Sequence, residues 1–204
     1  MTPAATPRER LLHAARELFT RRGFDAVSVR DLTARARVNL GAVTYHFGSK
    51  QELYREAITS IAEPFAEHVA SIAAAPRAPL DRIERVTRAV LAYFEEHPEM
   101  PPILLRELAG HRPLSAPLAQ LMRRNLGVLI GLITDGQRDG TIRKGDPALF
   151  AFTVVSQPFF FRVAGRVIER AAGIDERDPR VWARVVDHVA ESIRRTIANH
   201  SQAR

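Results

Sequence analysis

Side chains that can bind phosphate oxygens are concentrated between residues 39 and 50. Tyr45, His46 and Lys50 supply a hydroxyl, an imidazole and an ammonium group in one short segment. Groups of this kind position a protein on a polyanionic backbone, and small residues beside them allow a close approach to base edges. Thr44 lies directly before them, and Gly41 lies three residues before Thr44. This spacing indicates contact with a nucleic acid.

Two short helices are predicted to hold these groups. A capping box formed by Ser28 and Asp31 opens a helix that reaches about Ala36. Asn39 is expected to cap the next helix, the reading helix, which runs from about Leu40 to Phe47. Two short helices joined by a three-residue turn can enter a major groove. The sequence therefore predicts a helix-turn-helix over roughly residues 28–47.

The reading helix has two distinct faces. Val43 and Phe47 are four residues apart and are expected to pack inward on the two preceding helices. At about 100° per residue, the outward face then consists of Gly41, Ala42 and Tyr45, with Thr44 and His46 on its flanks.

Anions are also expected at two helix starts, where free amides and the helix dipole act together. Lys50 lies at one of them, and Ser28, Val29 and Arg30 lie at the other. Taken singly, Tyr45 could be a core aromatic residue and Lys50 an ordinary surface lysine. Their joint order and spacing favours the binding interpretation.

Charge is distributed unevenly along the chain. The net charge is +7, and residues 1–50 hold nine Lys/Arg against four Asp/Glu. A basic N-terminal quarter on a nearly neutral body is typical of a polyanion-binding module joined to another domain. A solvated basic surface without a partner is the alternative that charge alone leaves open.

The spacing of apolar residues and the capping signals along the chain predict an all-α protein with about nine helices. We predict that residues 1–50 form the three-helix helix-turn-helix domain, with residues 1–6 flexible. Residues 51–204 are predicted to form a larger helical bundle domain for effector binding and dimerisation. No cysteine is present, which excludes disulfides and thiolate sites. The N-terminus lacks the apolar run of a signal peptide. We therefore expect a cytoplasmic protein with no membrane partner.

Residues 28–36 (SVRDLTARA) followed by 38–50 (VNLGAVTYHFGSK) resemble the DNA-binding domain of TetR-family regulators. The resemblance covers about residues 8–55, and Tyr45-His46-Phe47 with Gly48 and Lys50 is its most specific part. It implies an all-α homodimer that binds a palindromic operator in double-stranded DNA. It also implies a C-terminal domain for a small-molecule effector of unknown identity, and repression as the usual outcome.

The resemblance also implies roles for individual residues. Tyr45, His46 and Lys50 would hold phosphates, and Ser28 would hold one at the edge. Arg37 departs from the family, which usually has glycine there; a left-handed backbone at this position would cost roughly 1 kcal/mol. Either the turn differs slightly from that of the family, or Arg37 compensates with a phosphate contact, which is our hypothesis. The full set predicted to bind DNA is Ser28, Arg30, Arg37, Asn39, Leu40, Gly41, Thr44, Tyr45, His46 and Lys50.

A subgroup related to the regulator CecR is similar in the opening of the reading helix and in the C-terminal half. The C-terminal similarity rests on residues 103–108 (ILLREL) and on segments 159–162 and 167–170.

The eighth predicted helix is apolar nearly all round, and the ninth carries an apolar stripe. Packing against a second copy would cover both; burial within one subunit is the alternative. The predicted dimer interface is Phe159, Trp182, Val185, Val189 and Ile193. The predicted effector pocket is Phe94, Arg106, His111, Phe152, Gln157 and Phe160.

The sequence argues against two other classes of function. The seven histidines show no metal-binding spacing, and the chain has no glycine-rich phosphate loop or nucleophile elbow, so no enzyme, catalytic residue, metal or cofactor is expected. A helical interaction module that has lost DNA binding is the second rival, and the intact Tyr45, His46 and Lys50 set argues against it.

Overall fold

The computed structural model describes residues 5–109 and 116–199. These residues form nine α-helices and no strand, as predicted. The helices are α1 (Pro7–Arg22), α2 (Val29–Ala36), α3 (Ala42–Phe47), α4 (Lys50–Ala73), α5 (Pro79–Glu96), α6 (Met100–Ala109), α7 (Ala116–Asp139), α8 (Pro147–Ala172) and α9 (Pro179–Ile197).

Local signals in the sequence place most helix ends. Thr6 caps α1 through a complete capping box with Glu9, and Gly23 ends the helix with a φ of 78°. Hydrogen bonds from the backbone and hydroxyl of Thr6 lower the pKa of Glu9. Asp146 and Asp178 cap α8 and α9, each followed by proline at the first helical position.

The described residues divide into two compact units. The first comprises residues 5–64, 102–109 and 116–121, and the second comprises 65–101 and 122–199. The predicted boundary at residue 50 falls inside the first unit.

In the first unit, α1, α2 and α3 enclose an apolar core. Leu11, Leu32 and Val43 are each almost completely buried. Beside them, the rings of Phe19 and Phe24 each lie 5.0 Å from the ring of Tyr54, which fixes the start of α4 against α1.

In the second unit, α5 packs against α8 and α9. Val189, Ile193 and Ile197 of α9 have no exposed surface in the protomer. Trp182 donates its indole N–H to Glu95 of α5 at 2.7 Å. The apolar stripe of α9 is therefore part of the protomer's own core.

Helix α8 is only partly covered. By length and composition it could cross a membrane, a property that core helices of globular proteins share. Its buried side comprises Phe150, Ala151, Val154, Pro158 and Gly165.

Candidate nucleic-acid interface

The turn between α2 and α3 keeps the geometry that glycine favours, although Arg37 occupies it. Arg37 has φ 53° and ψ 51°, a left-handed conformation, and its N–H donates to the carbonyls of Thr33 and Ala34. The N–H of Val38 also donates to Thr33, at 3.0 Å. The turn is therefore not distorted, and the arginine bears a conformational cost of roughly 1 kcal/mol.

The reading helix begins later than predicted. It spans Ala42–Phe47, its N-cap is Gly41, and no side chain caps it. The predicted start at Leu40 and the predicted Asn39 cap are both wrong. The carbonyl of Asn39, and not its side chain, accepts from Ala42 at 3.1 Å. The Asn39 side chain is therefore left for a partner.

The faces of α3 follow the prediction with one exception. Val43 and Phe47 are buried, whereas Tyr45 is 84% exposed and Thr44 is exposed. Ala42, expected on the outward face, is only 7% exposed. Its single methyl group is small enough to be covered by the residues around the start of α3.

The exposed residues at the α3 end of the unit surround a shallow depression. The ring of Tyr45 meets that of His46 edge to face at 4.8 Å. Leu40 is 55% exposed, an apolar group beside polar ones. The depression is lined by Pro7, Arg10, Val38, Asn39, Gly41, Ala42, Tyr45 and His46.

Lys50 lies at the start of α4, with its Nζ 4.2 Å from the ring centroid of Phe24. The aromatic face holds the ammonium group without neutralising it. Lys50 therefore keeps a charge available beside α2 and α3.

Ser28 is already engaged by its own helix. Its hydroxyl and its N–H both donate to the carboxylate of Asp31, at 2.6 and 2.8 Å. These bonds, from the hydroxyl first, lower the pKa of Asp31, and the charges of Arg22 and then Lys50 lower it further. A phosphate contact by Ser28, which stays a prediction, would have to share these donors. Arg30 is exposed on the same helix start.

Helix α6 supplies a contact to α1 that the sequence did not reveal. The guanidinium of Arg106 donates to the carbonyls of Thr20 and Arg21 at the end of α1. The neighbouring Glu107 accepts from the hydroxyl of Tyr54 at 2.6 Å. Arg106, predicted to line an effector pocket, instead satisfies the last carbonyls of α1. Because 85 residues separate Arg106 from Arg21, no local pattern signals the contact.

The other residues predicted for the effector pocket are dispersed. Phe94 is buried in the second unit, Gln157 is half-buried, and Phe152 and Phe160 are exposed on α8. His111 lies outside the described residues.

The predicted dimer interface needs correction. Trp182, Val185, Val189 and Ile193 are at most 8% exposed in the protomer, and α9 packs against α5, so they offer little surface to a partner. Phe159 of α8 is half-buried.

An apolar stripe on α8 is exposed instead. Its residues follow one another at spacings of three and four, so they share one face of the helix. Four of them are at least 61% exposed. The stripe consists of Leu149, Phe152, Ser156, Phe160, Val163 and Val167.

Comparison with known proteins identifies both parts of the chain. The family model described as "Bacterial regulatory proteins, tetR family" matches residues 11–57. The model described as "Tetracyclin repressor-like, C-terminal domain" matches residues 79–193.

Among curated proteins, the transcriptional repressor NicS of Pseudomonas putida is 26% identical over 163 residues, which is 78% of this chain and 76% of NicS. FadR of Bacillus subtilis, solved with stearoyl-CoA, has a TM-score of 0.74 at 16% identity over 90% of this chain and 96% of its own. AibR, solved with isovaleryl coenzyme A and operator DNA, has a TM-score of 0.69 at 16% identity over 95% of this chain and 99% of its own.

Proposed function

Because the chain belongs to the TetR family of bacterial transcriptional regulators, we propose that it is a repressor released from DNA by a small molecule. It binds a palindromic operator as a homodimer and acts in the cytoplasm. The exposed face of α3, with Tyr45, Thr44 and the free charge of Lys50 beside it, is the observation that supports this most strongly.

The helix-turn-helix domain formed by α1–α3 and the start of α4 is called the head below. Within this proposal, some of its residues position the protein on the DNA backbone and others read bases. Tyr45, His46 and Lys50 hold phosphate oxygens, as do Arg30 and Arg37 on α2 and its turn. These contacts fix the register of the head on the duplex and are independent of base sequence.

Bases are read by the residues at the start of the reading helix. Gly41 lets the backbone approach, the Leu40 side chain and the Thr44 methyl group suit a thymine methyl group, and Asn39 can bond an adenine edge. A reading set this sparse leaves part of the specificity to DNA shape.

The homodimer forms through the exposed stripe on α8. Phe152, Phe160, Leu149 and Val167 would bury their exposed apolar surface against the same stripe of a second copy, an interface with two-fold symmetry. Two heads related by that axis would enter successive major grooves about 34 Å apart, which requires a near-palindromic operator.

The effector binds in the second unit and favours a conformer with a different spacing of the heads. It can do so only by as much as its affinity differs between the conformers. FadR and AibR are solved with CoA thioesters, so this class is the first to test. We also propose that the chain belongs to the CecR-related subgroup.

Selection of bound duplexes from a random pool tests the function. The full-length protein should enrich a near-palindrome, and stearoyl-CoA, isovaleryl-CoA and a wider metabolite panel are then screened for release. A pool that stays random after repeated selection would support an interaction module without DNA binding and would overturn the proposal. Because the relative NicS is a transcriptional repressor and not an enzyme, we expect that the protein does not turn over the molecule that releases it from DNA.

A further inference from the structure

The arginines of α1, α2 and the following turn differ in whether a carboxylate neutralises them. Those with an acidic partner within 4 Å are Arg8 with Glu56, Arg21 and Arg35 with Glu17, and Arg22 with Asp31.

Arg10, Arg16, Arg30 and Arg37 have no acidic partner in the part of the chain that the structure describes. Arg16 is half-buried, and its Nε donates to the hydroxyl of Ser60 at 2.9 Å. The other three are exposed. Because Arg30 and Arg37 belong to the proposed DNA-binding set, Arg10 is the exposed member of this class whose charge has no assigned purpose.

Arg10 lies between two depressions of the first unit. One is the depression beside the reading helix, which it shares with Asn39, Gly41 and Tyr45. The other lies between α1 and α2, where Arg10 is joined by His13 and Arg37. Arg10 thus connects the reading surface with a second basic surface on its flank.

Glu9 also lines the second depression, but its carboxylate is committed elsewhere. It accepts from the N–H and the hydroxyl of Thr6, at 2.8 and 3.0 Å, in the capping box of α1. Arg35 is likewise neutralised, because Glu17 lies 2.6 Å from its guanidinium. Arg16 lines the depression too, but it is half-buried and its Nε donates to Ser60. The exposed uncompensated charge in this depression therefore comes from Arg10 and Arg37.

We propose that the depression between α1 and α2 is a second anion site, in which Arg10 and Arg37, assisted by His13, bind one backbone phosphate of the operator. Guanidinium groups suit this ligand because they donate paired hydrogen bonds and stay charged. The site extends the footprint of the head beyond the groove that α3 enters. It rests on the proposed function, since it names a further contact to the same DNA.

The test compares two single substitutions on α1 in the full-length protein, using the duplex enriched by the wild type. Arg10→Gln should lower the slope of log K against log salt by about 1 per subunit and weaken all duplexes alike. Arg21→Gln removes the same charge about 16 Å further along the helix and should leave the slope unchanged. Arg10→Lys should restore most of the slope.

Ethylation of individual phosphates locates the contact. One phosphate whose ethylation weakens wild-type binding should become tolerant to ethylation in Arg10→Gln, and it should be the same phosphate in Arg37→Gln. An unchanged slope and an unchanged interference pattern in Arg10→Gln would overturn the inference. The inference would also be overturned if Arg21→Gln lowered the slope as much as Arg10→Gln does, because the slope would then report only the net charge of the protein.

The outcome is separable from that of the proposed function. If the wild type enriches no duplex, the proposed function fails. If it does enrich one and Arg10→Gln behaves as the wild type, only the second anion site fails. Melting of both variants by circular dichroism checks that the head remains folded.

Discussion

Two exposed surfaces among the described residues have opposite chemistry. The face around α3 is polar and cationic, with Tyr45 84% exposed and the ammonium group of Lys50 beside it. The stripe on α8 is apolar, and Phe160 in it is 64% exposed. The first matches a polyanion and the second matches another apolar surface. Exposure alone would not distinguish them; the type of exposed group does.

The two surfaces should differ in how strongly salt affects the binding that each one mediates. Binding to phosphates releases counterions, so it weakens steeply as salt rises. Burial of the α8 stripe carries no such dependence, because its groups are uncharged. Dimerisation should therefore survive salt concentrations that dissociate the protein from DNA.

The largest expected effect comes from Phe160→Asp. Burying an unpaired carboxylate at the proposed dimer interface should weaken self-association by on the order of 100-fold or more. Operator affinity should fall with it, while affinity for a single half-site should be unchanged. Sedimentation equilibrium and gel shifts on whole and half operators measure this.

Arg123→Asp is the matched control, since it places an acid at an exposed site on α7. It should remain dimeric. A Phe160→Asp variant that stays dimeric would show that the α8 stripe is not the interface.

Lys50→Ala tests the cationic surface. Loss of one phosphate contact per subunit should lower the salt slope by about 1 per subunit and weaken all sequences equally. The exposed Lys144→Ala variant removes a lysine from the second unit and should bind as the wild type does. A sequence-selective loss in Lys50→Ala would mean that Lys50 reads bases.

Thr44→Ala tests the reading part of the same surface. Preference at one base pair of each half-site should change by about 1–3 kcal/mol, with little change in the salt slope. Competition between operator variants measures it. Thr44 does not belong to the reading set if the ranking of those variants is unchanged.

Arg37→Gly has the smallest expected effect. It relieves the left-handed backbone strain and should raise the free energy of unfolding by about 1 kcal/mol, while the salt slope falls through loss of the cation. Ala34→Gly on the exposed side of α2 is the control and should destabilise by about 1 kcal/mol. Stabilisation without any change in slope would contradict a phosphate contact by Arg37.

Features encoded by neighbouring residues could be predicted from sequence. The Thr6–Glu9 and Ser28–Asp31 capping boxes each join residues three apart, so their geometry follows from residue type. The family resemblance rested on contiguous residues in the same way. The start of α3 was misplaced because the Asn39 side chain, although suited to capping, is not used there.

Features that depend on tertiary packing could not be predicted. An apolar stripe such as that on α9 shows that something covers it, but not whether α5 of the same chain or a second copy does so. The Arg21 carbonyl that accepts from Arg106 at the end of α1 lies 85 residues away in sequence. Likewise, whether Arg10 has an acidic partner among the described residues depends on which groups the fold brings near it.

The lysine at the start of α4 also has a practical consequence. The chain contains only two lysines, Lys50 and Lys144. An amine-selective acylating reagent can therefore modify just one side chain in the head, and Lys144 on the exposed surface of the second unit serves as an internal reference. Acylation would abolish the positive charge of Lys50. The fraction of Lys50 left unmodified, read by mass spectrometry, would report how much of the protein is occupied on DNA without any label on the duplex.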